Sequence, residues 1–109
     1  MSDWSPIEED VLFDLITHAE FILEGLDKGF WRLIKLNTPQ KWRNQPLGDL
    51  GGGFWVVAIV GNRCIYYNDI EDGFNISTFK SWGEIDDYFS NQLKLEELIS
   101  SIVSSRFCI

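Results

Sequence analysis

Apolar residues recur every third or fourth position from residue 11 to residue 26. At about 100° per residue, Val11, Leu12, Leu15, Ile16, Ala19, Ile22, Leu23 and Leu26 fall on one broad helical face. The stretch Ser5-Pro6-Ile7-Glu8 supplies the start: Ser as N-cap, Pro at the first helical position and Glu at the third. Gly25 or Gly29 supplies the end. Phe30–Leu36 alternates well enough for a strand, with Arg32 and Lys35 limiting its burial. Residues 37–53 hold two Pro and four Gly without periodicity and read as a long loop, functional or mobile.

Two strands follow, Phe54–Val60 and Arg63–Tyr67, joined at Gly61-Asn62. Gly at the first central position suits a two-residue type II′ hairpin. That register sets Ile59 opposite Cys64 and Val57 opposite Tyr66 on one face, with Ala58, Ile65, Val56 and Tyr67 on the other. Both faces are apolar, so both need cover. The long loop, a twin subunit or a partner is expected over the second one. A turn rich in acid, ending at Asp72-Gly73, leads to a strand over Phe74–Phe79. Ser81-Trp82-Gly83-Glu84 repeats the capping-box spacing and predicts a short helix through Phe89. A last helix, about Leu93 to Arg106, places Leu95, Leu98, Ile99, Ile102 and Val103 on one side and several serines on the rest. The pattern predicts one α+β domain over residues 1–109. Its expected core is an antiparallel meander of about four strands with an N-terminal helix and C-terminal helices packed on it.

Charge sharpens this picture. The net charge of −8 is arranged in blocks. Residues 1–27 carry eight acids and no Lys or Arg, while residues 28–43 carry five bases and no acid. Residues 69–87 carry six acids against Lys80 alone. Blocks of one sign steer a partner of the opposite sign. A basic protein partner is therefore expected, and nucleic acid is disfavoured because its phosphates would be repelled. No apolar stretch reaches the length of a membrane span, and no basic n-region or long apolar core marks a signal peptide, so the expectation is a cytoplasmic protein without membrane contact. Cys64 and Cys108 fit isolated thiols in a reducing compartment, with one disulfide between them as the alternative.

Catalytic and metal chemistry find little support. His18 is the only histidine, one turn after Asp14, and no motif places a nucleophile beside that pair. Asn68-Asp69-Ile70-Glu71-Asp72-Gly73 superficially resembles a calcium loop, but Ile70 occupies a ligand position and Phe79 stands where the bidentate Glu belongs. Gly51-Gly52-Gly53 precedes a strand and lacks the Lys-Ser/Thr pair of a phosphate loop. No catalytic residue, metal site or cofactor is expected. Surface chemistry is more informative. Phe13 and Phe21 lie two turns apart among acids, Asp14 and Glu24 included. An apolar anchor with a charged rim is a common interface arrangement. The turn acids Asp69, Glu71 and Asp72, with Asp86 and Asp87, form a second acidic candidate. Trp42, between Lys41 and Arg43, reads either as a contact or as a lid on the open sheet face.

The stretch GFWVVAIVGNRCIYYNDIEDGFNIS, residues 53–77, resembles the central block of small acidic bacterial immunity proteins of toxin–immunity pairs, including contact-dependent inhibition systems. The resemblance implies a non-enzymatic protein that binds one toxin, often a basic nuclease, and blocks it with acidic side chains. It assigns no individual residue. On the residues themselves, Phe13, Asp14, Phe21, Glu24, Asp69, Glu71 and Asp72 are the candidate partner-binding set. Two other functions compete. One is a self-associating module, dimeric through the second sheet face. The other is a small-molecule site beneath the 37–53 loop, lined by Trp42, Trp55 and Tyr66.

Overall fold

A computed structural model describes residues 5–48 and 52–105. The order is α1 (Glu9–Ile22), α2 (Gly25–Ile34), β1 (Lys35–Asn44), β2 (Phe54–Val60), β3 (Arg63–Asn68), β4 (Gly73–Thr78), β5 (Glu84–Ile85) and α3 (Leu95–Ser104). The domain is α+β, and its sheet has five strands in the order β4-β3-β2-β1-β5. Strands β1 to β4 pair antiparallel, while β5 pairs parallel to β1. The expected four-stranded antiparallel meander is thus corrected to a mixed sheet of five.

Two segments change identity. The expected strand Phe30–Leu36 is largely the second half of α2. Its helical period carries Trp31 inward, with Phe30 and Ile34 packed against the core, and leaves Leu33 outside. The chain is extended at Leu23 and Glu24, so the single helix expected through Leu26 is two helices. Leu26, placed on the core face by a continuous helical pattern, is turned out to solvent. Nor is the stretch after residue 36 a loop. Its first part is the body of β1, with Pro39, Trp42 and Asn44 turned inward between exposed neighbours. Pro39 falls where the β1–β2 register shifts, between Lys35 and Gln40, an irregularity that tolerates a residue without an N–H.

The hairpin β2–β3 keeps the expected register at its tip. Ile59 faces Cys64, Ala58 faces Ile65, and Gly61 takes φ +59° as the first turn residue. A bulge then intervenes between Val56 and Ala58. Val56, not Val57, faces Tyr66. Val57 is the extra residue, and it joins Ala58, Val60, Ile65 and Tyr67 on the helical side. Phe54, Val56, Cys64 and Tyr66 share the opposite side with Trp42 and Ile85. The bulge rephases the strand, so both faces stay apolar along its length.

The two faces are covered differently. Leu12, Ala19 and Leu23 of α1, Trp31 of α2 and Leu95, Leu98, Ile99 and Ile102 of α3 close the first. The second is closed by the chain itself. In place of the short helix expected over 81–89, Gly83 at φ +98° turns the chain into β5, and residues 86–92 run on as an extended strap. Buried side chains of the sheet hold the strap's backbone. Asn44 Nδ2 donates to the Asp87 carbonyl at 2.8 Å, and Ser77 Oγ accepts the Asp87 N–H at 3.1 Å. Tyr66 Oη accepts the Phe89 N–H at 2.8 Å, and Asn68 Nδ2 donates to the Phe89 carbonyl at 2.9 Å. The Asn75 amide takes both backbone groups of Asn91, each at 3.0 Å. The backbone groups of Asp87, Phe89 and Asn91 thus meet partners, which is what allows irregular chain to be buried. The dimer interface expected on this face is therefore internal.

Gly73 marks the crossing. A Cβ there would fall on the Asn91 carbonyl oxygen and the Gln92 Cα. Gly73→Ala should cost about 2 kcal/mol or more, as overpacking against backbone does. Urea unfolding followed by Trp fluorescence measures it, and a loss below about 0.5 kcal/mol would mean that the strap does not pack there as described.

Candidate functional site

The strap returns the chain to the helical side, where α3 lies against α1, α2 and β4. Two depressions open along it. The smaller, about 170 Å³, is walled by Leu15 and His18 of α1, Tyr67, Asp72 and Phe74 of the β3–β4 region, and Leu93, Lys94 and Glu96. The larger, about 700 Å³ and shallow, lies between the α1–α2 joint (Ile22, Leu23, Glu24, Asp27) and α3 (Glu96, Glu97, Ser100, Ser101, Ser104). Glu96 borders both, so they adjoin along α3 and are described together as the trough. Five carboxylates edge it: Asp72, Glu96, Glu97, Glu24 and Asp27, against Lys94 and His18. The apolar lining comes from Leu15, Phe74, Leu93, Ile22 and Leu23. The small serines on the outer turns of α3 keep the wall low.

Local physics places these acids. Glu96 and Glu97 sit in the first turn of α3, where the helix dipole favours negative charge. The Glu97 carboxylate accepts the Lys94 N–H at 2.8 Å and caps that end. Asp72 holds φ +57°, closing the tight β3–β4 turn, and its Oδ1 accepts the Tyr67 hydroxyl at 3.2 Å. Burial, with Asp72 beside it, pushes the Tyr67 phenol up to about 12. His18 Nε2 lies 3.9 Å from Glu96, so its acidic neighbour is on α3 and not Asp14 one turn away.

The candidate residues separate. Asp72 and Glu24, from distant segments, come to the same trough. Phe21 is 86% exposed directly before Ile22 and Leu23 of its lining. Asp14 is exposed on α1 outside it. Phe13 is 44% exposed and lines a different notch of about 200 Å³, with Glu20, Trp31, Lys35 and Pro39. Glu71 is half-buried, and its carbonyl accepts from Gln92 Nε2 at 2.9 Å. Asp69 belongs to the interior: it is buried, and its Oδ2 accepts the Ile7 N–H at 2.8 Å, fastening the segment before α1. Asp69 therefore leaves the docking rim. Asp86 and Asp87, grouped with the turn acids by sequence, line a separate polar notch of about 380 Å³ with Thr78, Ser81 and Glu84. Sequence patterning missed Glu96, Glu97 and Asp27. The first two carry a signal that reads as helix capping, and only the topology turns them into a wall.

Trp42 and Tyr66 are fully buried, and Trp55 packs on the opposite face of the sheet. The small-molecule site expected from these three side chains has no common space. Instead, Gln40 Oε1 accepts the ring N–H of Trp42 at 3.2 Å and of Trp82 at 3.1 Å, and Trp82 stacks edge-on against Trp42. The Cys64 thiol is buried and pushed up to about 12 by that burial, which makes it a poor nucleophile. Among the described residues, no group of three His, Cys, Asp or Glu side chains is placed to hold a metal, and no helix is long and apolar enough to cross a membrane.

One acid braces the site from behind. Glu20 Oε2 accepts from Trp31 Nε1 at 2.9 Å and from Lys35 Nζ at 2.8 Å, joining α1 to α2 and to the start of β1. Burial raises the Glu20 pKa, but the bonds from Lys35 and Trp31 and the charge of Arg32 outweigh it, and the net shift is downward from 4.5. A carboxylate with a depressed folded pKa stabilises the fold above its unfolded value and loses that contribution as pH falls through the folded value. Glu20→Gln should therefore destabilise by about 1 kcal/mol or less at pH 7, the pair being partly solvated. The difference from the parent should vanish on acidification below that range, as thermal melts across pH would show; a difference that persists would assign the bond to hydrogen bonding alone. Comparison of the chain with family models, curated proteins and solved structures finds no match.

Proposed function

We propose that this chain is a non-enzymatic binding protein that neutralises a basic protein toxin by seating it on the acidic trough along α3. The observation that carries the reading is a pair of adjoining depressions edged by five carboxylates, with Phe21, an aromatic ring left almost wholly in solvent, next in sequence to Ile22 and Leu23 of the lining. An aromatic anchor with a polar rim is the arrangement that concentrates binding energy in protein interfaces. The carboxylates speed encounter with a basic surface and fix its orientation, while the apolar lining and Phe21 supply the slow dissociation. The likeness of residues 53–77 to immunity proteins supports a toxin as that partner. Within the trough, Asp72 and Glu24 hold its two ends and Glu96 its middle.

The test begins with capture from a lysate of the native source at low salt. The expected partner is one basic protein whose toxicity the chain suppresses on co-expression. Phe21→Ala should weaken that complex by about 1–3 kcal/mol. Glu96→Lys should slow association, with most of the effect lost at high salt. Phe13→Ala should change affinity by less than about 0.5 kcal/mol. Losses confined to Phe13→Ala would move the docking face to the Trp31 notch, and a captured protein that is harmless alone would sink the toxin reading.

A further inference from the structure

The smaller depression of the trough has walls and a rim of different chemistry. Leu15 of α1, Tyr67 of β3, Phe74 of β4, and Leu93 and Leu95 at the entry to α3 supply apolar wall. Its volume of about 170 Å³ exceeds the roughly 150 Å³ that holds a benzene-sized guest in an apolar cavity. Water against such walls finds few hydrogen-bond partners, so an alkyl chain that replaces it gains apolar burial.

Two carboxylates from different elements meet this lining. The Glu96 side chain is only 13% exposed, yet it accepts no hydrogen bond from the described residues. Its ion-pair partner, His18, stands 3.9 Å away, beyond hydrogen-bond range. A carboxylate drawn out of water without a donor is costly. Asp72 gives one oxygen to the Tyr67 hydroxyl at 3.2 Å and forms no ion pair among the described residues. Lys94 lines the same depression, but it is exposed and pairs with neither carboxylate. An anionic guest would be repelled here. A neutral apolar guest would take water from Glu96 and return no donor. The guest that satisfies both walls and rim is a chain of roughly three or four methylenes ending in a cation, which is how lysine and arginine side chains are built.

We propose that this depression is a subsite for one lysine or arginine side chain, its stem on Leu15, Phe74 and Leu93 and its head between Asp72 and Glu96. The subsite rests on the trough as the docking surface for a basic partner, and it makes one basic residue of that partner an anchor as well as a steering charge.

Titration of the full chain with n-butylguanidinium and with n-butylammonium, followed by amide and methyl NMR, tests the subsite without a partner. Saturable shifts should centre on Leu15, Phe74, Leu93 and Glu96, with half-saturation at about 1–10 mM, as suits ligands this small. n-Butanol, with the same apolar stem, should bind at least about tenfold more weakly. Asp72→Asn and Glu96→Gln should each weaken the cations by about threefold to tenfold. Asp72 is exposed, so its variant keeps the test should Glu96→Gln disturb α3. The absence of saturable shifts below about 100 mM, shifts spread evenly over the acidic surface, n-butanol binding as well as the cations, or unchanged affinity in Asp72→Asn would each overturn the subsite, even with a toxin captured. Saturable, carboxylate-dependent binding of the cations beside a captured partner that is harmless would uphold the subsite and sink the toxin reading alone.

Discussion

The helical side of this protein depends on seven residues that lie on the other side. The strap 86–92 is extended chain with no ladder of its own, pressed on the second face of a sheet that is apolar on both faces. It is tolerated there because Asn44, Tyr66, Asn68, Asn75 and Ser77 point inward and meet its backbone groups. A buried donor or acceptor left unpaired costs roughly 1–3 kcal/mol, so these contacts specify one path for the strap. The path fixes where Leu93 bridges Phe74, and hence where α3 begins and where Glu96 and Glu97 stand. The acidic trough is in this sense a consequence of hydrogen bonds on the opposite face.

The acids fall into two kinds once geometry is known. Glu20 and Asp69 are structural: one ties α1 to α2 and β1, the other holds the segment before α1 on the β3–β4 turn. Asp72, Glu24, Asp27, Glu96 and Glu97 edge the trough. Net charge alone does not make this distinction. Glu20 and Asp69 tie distant segments together, whereas the trough acids meet only near or local groups, Asp72 the Tyr67 hydroxyl, Glu97 the Lys94 N–H and Glu96 His18, and like charges gathered there repel one another.

Much of the fold was legible. The α1 period, the Gly61-Asn62 hairpin and α3 follow from local pattern because tertiary packing agrees with it there. The misreadings share one cause. Phe30–Leu36 has an apolar density that satisfies either period, and the burial of Trp31 decides for helix. Lys41-Trp42-Arg43 reads as loop because alternating cations mask an inward Trp. Ser81–Phe89 has capping-box spacing, but Glu84 N bonds Ser81 O in a turn, and Ile85 is needed in the sheet. Asn44, Asn68, Asn75 and Ser77 read as surface because polar residues usually are, and nothing local reveals that a strap will need them. Of the candidate site, Phe21, Glu24 and Asp72 were visible as exposed or turn residues. The meeting of Glu24 and Asp72 with Glu96 was not, since it joins segments 72 and 24 residues apart (96 − 24 and 96 − 72), at sequence separations no local pattern encodes.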